Sequence, residues 1–263
     1  MPLNEPDVSL IIPAFNEAAR LPQSLRKIVE FTGGNAFSCE VLVVVEKSTD
    51  GTLELAREIG AKQANFKIVD NEIQLGKGHA VRSGMRVATG KIQFYMDADL
   101  SVPLEDMLFF LDYFRTHPEV DVVIGNRQHK DSKILVKQPP LREKMGKAFN
   151  RIIQSLSLLD VRDTQCGFKA FRKKASHAIF YRQRLDGFAF DVEVLLLAKA
   201  LGFTIVDLPV HWVNSPDSKV NIVRDSLQMF LDTVRVRRLV ERTARETRGS
   251  HYRPLDERAD PGA

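Results

Sequence analysis

The stretch VSLIIPAFNE, residues 8–17, is an apolar, β-branched run that ends in a group of polar residues. The same arrangement returns at residues 40–48, EVLVVVEKS, and at residues 92–99, IQFYMDAD. Segments with helical apolar spacing separate these runs, at residues 17–31, 49–60 and 78–88. Strands that are apolar on both faces and alternate with helices are typical of parallel sheets covered by helices. The sequence therefore predicts an α/β fold with a mostly parallel central sheet and helices on both faces.

The rest of the sequence contains further predicted strands and helices. Further strands are predicted at residues 66–70, 120–125 and 204–209, and further helices at residues 103–115, 142–159, 190–201 and 222–245. Residues 128–141 are polar and contain Pro139-Pro140, which indicates a loop, and residues 163–171 indicate a short turn or strand. The predicted helices at 142–159 and 222–245 carry apolar stripes, so both are predicted to be amphipathic.

Composition narrows the class of protein. The chain has 263 residues, of which 44% are hydrophobic, and this suits one large α/β domain. No apolar run approaches the roughly 18 residues needed to span a bilayer. Residues 1–7 lack the positive charge of a signal peptide. Cys39 and Cys166 are predicted to be reduced thiols of a cytoplasmic protein, with a disulfide as the weaker alternative.

Polar residues follow several of the predicted strands at the point where each strand ends. They lie at residues 13–17, 46–48, 97–99 and 125–127. In open α/β sheets, ligands bind beyond the carboxyl ends of the strands. These four groups of residues therefore predict a binding site at one edge of the sheet.

Asp97 and Asp99 are the most informative pair in this set. Side chains two residues apart in a strand point to one face, so the two carboxylates converge if the strand continues through them. Converging carboxylates suit a hard divalent ion, Mg²⁺ or Mn²⁺. Two alternatives remain: a helix N-cap by Asp99 or Ser101, and an aspartyl-phosphatase nucleophile. We favour the metal for the aspartates and the cap for Ser101, because one cap does not require two carboxylates.

Lys77 lies in the glycine-flanked turn LGKG, residues 75–78, at the start of a predicted helix. Glycines allow the backbone to approach a ligand closely, and a helix N-terminus favours anions. Next to a metal site, this turn predicts binding of a diphosphate.

The motifs VSLIIPAFNEAARL (8–21), STDGT (48–52), GKGHAVRSGM (76–85) and DADLSVP (97–103) resemble those of the family 2 glycosyltransferases, which have the GT-A fold. VRDTQCGFKAF (161–171) and GFAFDVEVLLLAK (187–199) are more specific and resemble the dolichyl-phosphate glucosyltransferase branch. Polyprenyl-phosphate mannosyltransferases are close relatives of that branch. The resemblance covers roughly residues 8–240.

The resemblance implies roles by motif position. On the donor side it places Pro13, Ala14, Asn16, Glu17, Glu46, Lys77 and Asp97 at the nucleotide, and Asp97 and Asp99 at the metal. On the acceptor side it places Arg127 and Lys169 at an acceptor phosphate, and Gln165 and Asp191 near the transferred sugar. Two departures stand out: Val45-Glu46-Lys47 replaces the usual Asp-Asp-Gly, and Ser101 replaces a glutamine of the mannosyltransferases.

The domain organisation expected from this resemblance is a single GT-A domain over residues 1–248. Its nucleotide-binding half covers about residues 8–127 and its acceptor half about residues 128–248. Residues 249–263 are polar and contain proline, so they are predicted to be a disordered tail. The eukaryotic enzyme of this branch has a membrane-spanning N-terminal helix, and none is expected here.

The resemblance implies metal-dependent, inverting transfer of glucose from UDP-glucose to a polyprenyl phosphate of the dolichyl or undecaprenyl type. A phosphate acceptor needs cations rather than a strong base, so Asp191 is predicted to orient sugar hydroxyls. The alternatives are another nucleotide sugar such as GDP-mannose, a soluble hydroxyl acceptor with Asp191 as base, and a nucleotide-sugar-binding protein without catalysis.

A lipid acceptor implies a protein that lies peripherally on the cytoplasmic face of a membrane. The amphipathic helices predicted at 142–159 and 222–245 suit this, as do six arginines at 235, 237, 238, 242, 245 and 248. The alternative is that both stripes pack on the sheet. Nucleic acid is not an expected partner, because no aromatic residues are interleaved with the arginines.

Overall fold

The computed structural model describes residues 5–136 and 161–213, together with Asp232, Val236 and Val240. Nine strands are described: β1 Val8–Ala14, β2 Cys39–Glu46, β3 Phe66–Asn71, β4 Ile92–Met96, β5 Val122–Asn126, β6 Lys133–Val136, β7 Phe168–Arg172, β8 Ile205–Pro209 and β9 His211–Val213. Six helices are described: α1 Leu21–Gly34, α2 Thr52–Gly60, α3 Lys77–Val87, α4 Asp106–Thr116, α5 Lys173–Arg182 and α6 Phe190–Ala200.

Seven of these strands form one sheet in the order β3-β2-β1-β4-β7-β5-β8, and β6 pairs with β9 in a separate two-stranded ribbon. All pairings in the large sheet are parallel except those of β7, which runs antiparallel between β4 and β5. The predicted mostly parallel α/β sheet is confirmed. The chain crosses from β1 to β2 on one side and to β4 on the other, so a crevice lies at the carboxyl end of β1.

Alternate residues of each central strand enter two different cores. Leu10 and Phe94 pack on one face of the sheet with α1 and α4, while Ile11 and Tyr95 pack on the other face with α3, α5 and α6. This follows from the two-residue period of a strand, because neighbouring side chains point to opposite faces. Burial on both faces explains why β1 and β2 read as continuous apolar runs.

Two predicted helix starts were wrong. α1 begins at Leu21 rather than at residue 17, because hydrogen bonds to Ser48, after β2, and to Thr52, at the start of α2, hold the segment after β1 in a turn. α4 begins at Asp106 rather than at Pro103. Ser101 does not cap α4: its hydroxyl donates to Asp99 Oδ1 instead, over 2.7 Å.

Other differences lie in the second half. The loop predicted over 128–141 contains β6, and α5 and β9 were not predicted. The predicted helix at 142–159 and the tail from 249 lie outside the described residues. Of the predicted helix at 222–245 the structure describes Asp232, Val236 and Val240, which are helical. Val236 and Val240 are buried in the same core as α6, so part of this helix packs on the protein.

Cys39 and Cys166 are both buried and both free, which confirms the predicted reduced thiols. In the described part of the chain, no helix has the length and apolar character that crossing a bilayer requires. The predicted division into a nucleotide-binding and an acceptor half stays a prediction. Strands from both sequence ranges join the same sheet, since β7 and β8 complete it beside β4 and β5.

Candidate active site

The polar residues at the ends of β1 and β2 are tied together. Ser48 Oγ accepts a hydrogen bond from the Asn16 backbone N–H at 3.0 Å, and Asn16 Oδ1 accepts one from the Thr49 N–H at 2.9 Å. Asn16 has a φ of 52°, in the left-handed region that asparagine tolerates better than most residues. Pro13 and Ala14 are the last residues of β1 beside these bonds. The predicted nucleotide-pocket residues of β1 therefore stand on the edge formed by β1 and β2.

Lys77 and Asp97 form an ion pair at this edge. Lys77 is the first residue of α3, and its Nζ lies 2.5 Å from Asp97 Oδ1. The side chain of Asp97 is 40% exposed and that of Lys77 is 19% exposed. Burial opposes the charge of Lys77, but the carboxylates of Asp97 and Asp191 outweigh it and raise its pKa to about 12. The site thus holds an accessible, permanently charged amine at a helix N-terminus, as anion binding requires.

Asp99 lies on a turn and not on a continued strand. β4 ends at Met96, and the Leu100 N–H donates to the Asp97 carbonyl at 3.0 Å. Strand geometry therefore does not bring the two carboxylates to one face, and this prediction was wrong. Asp99 Oδ1 accepts hydrogen bonds from the N–H and the hydroxyl of Ser101, and Asp99 Oδ2 lies 3.9 Å from Arg20 Nη1.

Arg20 was not predicted as a site residue. Its guanidinium also donates to Glu17 Oε1 at 2.6 Å and to Glu17 Oε2. Arg20 therefore links the nucleotide-pocket residue Glu17 to the metal-site residue Asp99. The sequence signal is weak, because a single arginine three residues after Glu17 has no distinctive pattern.

The two carboxylates after β4 have the donor chemistry of a divalent-ion site. Asp97 and Asp99 offer carboxylate oxygens, which Mg²⁺ and Mn²⁺ prefer, and both side chains are partly exposed. Within residues 5–136 and 161–213, no group of three or more His, Cys, Asp or Glu residues is placed to hold a metal. An ion held here would therefore take its remaining ligands from water and from the oxygens of a diphosphate.

Gly167 joins the donor side to the acceptor side. It precedes β7, and a Cβ at this position would overlap the carboxylate of Asp97. The chain can pass this close to Asp97 only because glycine has no side chain. The DTQCGFK motif is thereby brought directly against the DAD motif, although about 66 residues separate them in the sequence.

Asp191, Lys169 and Tyr95 form a buried network beneath this contact. Asp191 Oδ1 accepts a hydrogen bond from the Tyr95 hydroxyl at 2.6 Å and forms an ion pair with Lys169 Nζ. Lys169 is 0% exposed and also donates to the Cys166 carbonyl at 2.8 Å. Burial and the charge of Asp191 raise the pKa of Tyr95 well above its ordinary value. The Lys169 amine lies on Asp191 and not at the surface, and its predicted contact with an acceptor phosphate stays a prediction.

Arg127 is held by a residue that was not predicted. Its Nε and Nη2 donate to the two oxygens of Asp163 at 2.7 and 2.8 Å, and its backbone N–H donates to Asp163 at 3.0 Å. Burial would raise the pKa of Asp163, but the charge and hydrogen bonds of Arg127 hold it below the ordinary value. The guanidinium also lies 5.7 Å from the ring of Trp212. Arg127 is therefore fixed in one orientation, as recognition of a phosphate requires.

Two polar side chains that follow Asp163 in the chain each have an atom without a partner. Thr164 Oγ1 and Gln165 Nε2 are buried and make no hydrogen bond in the structure that residues 5–136 and 161–213 define. Buried polar atoms without partners are costly, so such atoms often mark a place that a ligand fills. Gln165 was predicted near the transferred sugar, and that role stays a prediction. Thr164 was not singled out from the sequence.

Glu46 occupies the end of β2 but is fully engaged. Its carboxylate accepts hydrogen bonds from the backbone N–H groups of Leu75 and Gly76 at 2.6 and 3.1 Å. Asn71 Nδ2 and His79 Nδ1 contact the other oxygen at 2.9 and 2.7 Å. A carboxylate offers about four acceptor positions, and these four contacts use them. Glu46 therefore holds the turn in front of Lys77, and its predicted contact with a base stays a prediction.

Comparison with known proteins identifies the family. Residues 9–180, more than half of the chain, match the family described as "Glycosyl transferase family 2". The chain belongs to this family. Glycosyltransferase activity, the GT-A fold and a likeness to the dolichyl-phosphate glucosyltransferase branch, all expected from the sequence, are confirmed.

Similar sequences carry a more specific name. A dolichyl-phosphate beta-glucosyltransferase from Dictyostelium discoideum is 32% identical over 246 residues, which cover 90% of this chain and 75% of the relative. The protein of the same name from Drosophila melanogaster is 31% identical, over 86% of this chain and 73% of the relative.

Solved structures agree on the fold. Mannosyl-3-phosphoglycerate synthase from Rubrobacter xylanophilus has a TM-score of 0.63 and 20% identity, covering 94% of this chain and 77% of that chain. Glucosyl-3-phosphoglycerate synthase from Mycobacterium tuberculosis, in a complex with Mn²⁺, UDP and glucosyl-3-phosphoglycerate, has a TM-score of 0.57 and 18% identity, covering 87% of this chain and 80% of that chain. These identities are low, so the likeness concerns the GT-A fold alone.

Proposed function

We propose that this glycosyltransferase transfers glucose from UDP-glucose to a polyprenyl phosphate, with inversion at the anomeric carbon and with Mg²⁺ or Mn²⁺ bound. The names of its similar relatives support glucose and a polyprenyl phosphate. UDP is the nucleotide we propose because the motifs at residues 161–171 and 187–199 resemble the dolichyl-phosphate glucosyltransferase branch. The observation that carries the choice of acceptor is the burial of Asp191 and its pairing with Lys169.

A hydroxyl acceptor needs a general base, and Asp191 is the carboxylate that the motif places there. Its side chain is only 3% exposed, and its charge is balanced by Lys169 inside the protein. Its Oδ1 is already occupied by the Tyr95 hydroxyl and the Lys169 amine, which holds the carboxylate in one orientation. A phosphate acceptor is already anionic and needs no proton removed. The pairing of Asp191 therefore favours phosphate as the acceptor.

The donor binds, in this proposal, at the carboxyl ends of β1, β2 and β4. Lys77, at the N-terminus of α3, contacts the diphosphate and offsets the charge that grows on it as the glycosidic bond breaks. Asp97 and Asp99 would hold the ion, which would supply Lewis-acid stabilisation of the leaving diphosphate. Asp97 holds Lys77 in place before the donor arrives.

The acceptor phosphate binds, in this proposal, at Arg127, which follows the carboxyl end of β5. Asp163 fixes the orientation of the guanidinium, so the remaining N–H groups are aimed before the phosphate binds. Asp191 orients a sugar hydroxyl through Oδ2, while Oδ1 stays on Lys169 and Tyr95. Thr164 Oγ1 and Gln165 Nε2 gain their missing hydrogen bonds from the sugar.

A transfer assay tests this proposal. The purified protein is given UDP-glucose or GDP-mannose with Mg²⁺, Mn²⁺ or a chelator, and with a polyprenyl phosphate or a soluble glycosyl acceptor bearing only hydroxyls. We expect a glucosylated lipid only when UDP-glucose, a divalent ion and the polyprenyl phosphate are all present. Transfer to the hydroxyl acceptor without lipid would refute the phosphate acceptor, and a preference for GDP-mannose would refute the sugar and the base.

A further inference from the structure

We propose that the two-stranded ribbon formed by β6 and β9 docks on the surface of an anionic lipid bilayer. This proposal rests on the proposed function, since a polyprenyl phosphate is presented at such a surface. The ribbon contains the most concentrated exposed apolar residues of the described chain. Ile134, Leu135 and Val136 are consecutive and are 37%, 59% and 48% exposed. A monomeric soluble protein has little reason to expose three apolar residues in a row on a strand.

Charge around the ribbon suits an anionic surface. Residues 128–137, QHKDSKILVK, contain Lys130, Lys133 and Lys137 against Asp131, a net charge of +2 with histidine neutral. Lys130 and Lys133 are exposed. Apolar residues flanked by lysines are typical of segments that lie in a membrane interface, where the apolar groups enter the acyl boundary and the amines stay with the headgroups.

The ribbon is rigidly joined to the proposed acceptor site. The Ser132 hydroxyl donates to the Asn126 carbonyl at 2.5 Å and accepts from the Val210 N–H at 3.1 Å. Trp212 of β9 pairs with Ile134 of β6 and lies under the guanidinium of Arg127. A surface that binds the ribbon is therefore next to the residue proposed to bind the lipid phosphate.

The position of the ribbon also orients the sheet. β6 follows the carboxyl end of β5, and β9 follows the carboxyl end of β8, which lies parallel to β5. The ribbon therefore extends from the same edge of the sheet that carries Lys77 and Asp97. Docking through the ribbon turns the active site towards the lipid, so that a phosphate at headgroup depth can reach Arg127 without leaving the membrane.

Trp212 gives a direct test, because it is the only tryptophan of the chain. The full chain is mixed with vesicles of phosphatidylcholine and phosphatidylglycerol whose acyl chains carry bromine, which quenches tryptophan on contact. We expect vesicle binding with quenching of Trp212, and weaker binding to phosphatidylcholine alone. Protein that binds the vesicles with unquenched Trp212 would place another surface on the lipid and overturn the proposal, as would absence of binding.

A matched pair of variants tests the apolar contact. Val136→Ser removes an exposed valine from β6, and Val87→Ser removes one of nearly equal exposure, 50%, from the end of α3 at the opposite edge of the sheet. Losing the burial of a valine predicts roughly tenfold weaker vesicle binding for Val136→Ser, and little change for Val87→Ser. Equal effects of the two substitutions would contradict docking through the ribbon.

The vesicles in these experiments contain no polyprenyl phosphate, so docking is measured apart from catalysis. A protein that docks but does not glucosylate a polyprenyl phosphate would refute the proposed function and keep the ribbon. A protein that glucosylates a short, water-soluble polyprenyl phosphate but does not bind vesicles would refute the ribbon and keep the function.

Discussion

The ion pairs of the donor side and of the acceptor side differ in access to solvent. On the donor side, Lys77 and Asp97 are partly exposed and meet at the mouth of the site. On the acceptor side, the side chains of Lys169 and Asp191 are 0% and 3% exposed, and Asp163 is 1% exposed beneath Arg127. An exposed pair can exchange its partner for a ligand at little cost, whereas a buried pair cannot separate without leaving a charge in the protein interior. The donor pair is therefore suited to binding, and the acceptor pairs are suited to fixing geometry.

The strongest test of this comparison is Asp163→Ala. Removing one partner of a buried pair leaves the other uncompensated, and we expect the free energy of unfolding to fall by about 3–5 kcal/mol. The exposed pair of Arg57 and Asp70 provides the control, since Asp70→Ala should cost less than about 1 kcal/mol. Urea unfolding measures both. If both variants lost a similar free energy of unfolding, burial would not explain a difference between the two ion pairs.

The pH dependence of the same measurement has a definite sign. The folded pKa of Asp163 is depressed, so its pairing stabilises the protein above the ordinary carboxyl range. That stability is lost as the pH falls through the folded pKa. We expect the difference between the wild type and Asp163→Ala to be complete at neutral pH and to shrink in acid. A difference that grows in acid would contradict the depressed pKa.

On the donor side, the largest effect is expected from Asp99→Asn. Removing the negative charge weakens the hold on the ion, and loss of electrostatic stabilisation of this kind costs roughly 100-fold or more in activity. The Mn²⁺ concentration needed for half-maximal activity should rise. Ser101→Ala keeps the carboxylate and removes only one of its hydrogen bonds, so it should have a much smaller effect. An Asp99→Asn variant with unchanged metal response would remove Asp99 from the metal site.

The same comparison separates what the sequence could predict from what it could not. The ends of β1, β2 and β4 were predictable, because apolar runs that end in polar residues indicate both the strands and their binding edge. Tyr95 and Asp163 were not, because a tyrosine inside an apolar strand looks like core and an aspartate in a turn looks like a surface residue. Their roles depend on side chains that approach from distant parts of the chain, Asp191 and Arg127.

A smaller effect is expected within the buried network. Tyr95→Phe removes one hydrogen bond to the charged Asp191 and keeps the ring that packs against Phe171 and Phe190. Hydrogen bonds to charged groups contribute about 1.5–3 kcal/mol to stability. We expect a loss in this range, with a lower kcat and little change in the KM for the nucleotide sugar. Tyr113→Phe on α4 is the control and should leave kcat unchanged. A Tyr95→Phe variant whose KM for the nucleotide sugar rises while kcat stays constant would place Tyr95 in donor binding.

The smallest expected effect, and the one that decides the role of Glu46, comes from Glu46→Gln. A glutamine has one acceptor oxygen and brings an NH₂ group towards the N–H groups of Leu75 and Gly76. The turn in front of Lys77 should loosen, and we expect the KM for UDP-glucose to rise roughly tenfold while the preference for UDP over GDP stays constant. Glu58→Gln, on the exposed face of α2, should leave the KM unchanged. A loss of preference between UDP and GDP would instead assign Glu46 to the base. Glu46 would then have to release some of its four hydrogen-bond contacts when the donor binds. It would exchange partners for a ligand, as Lys77 and Asp97 are proposed to do.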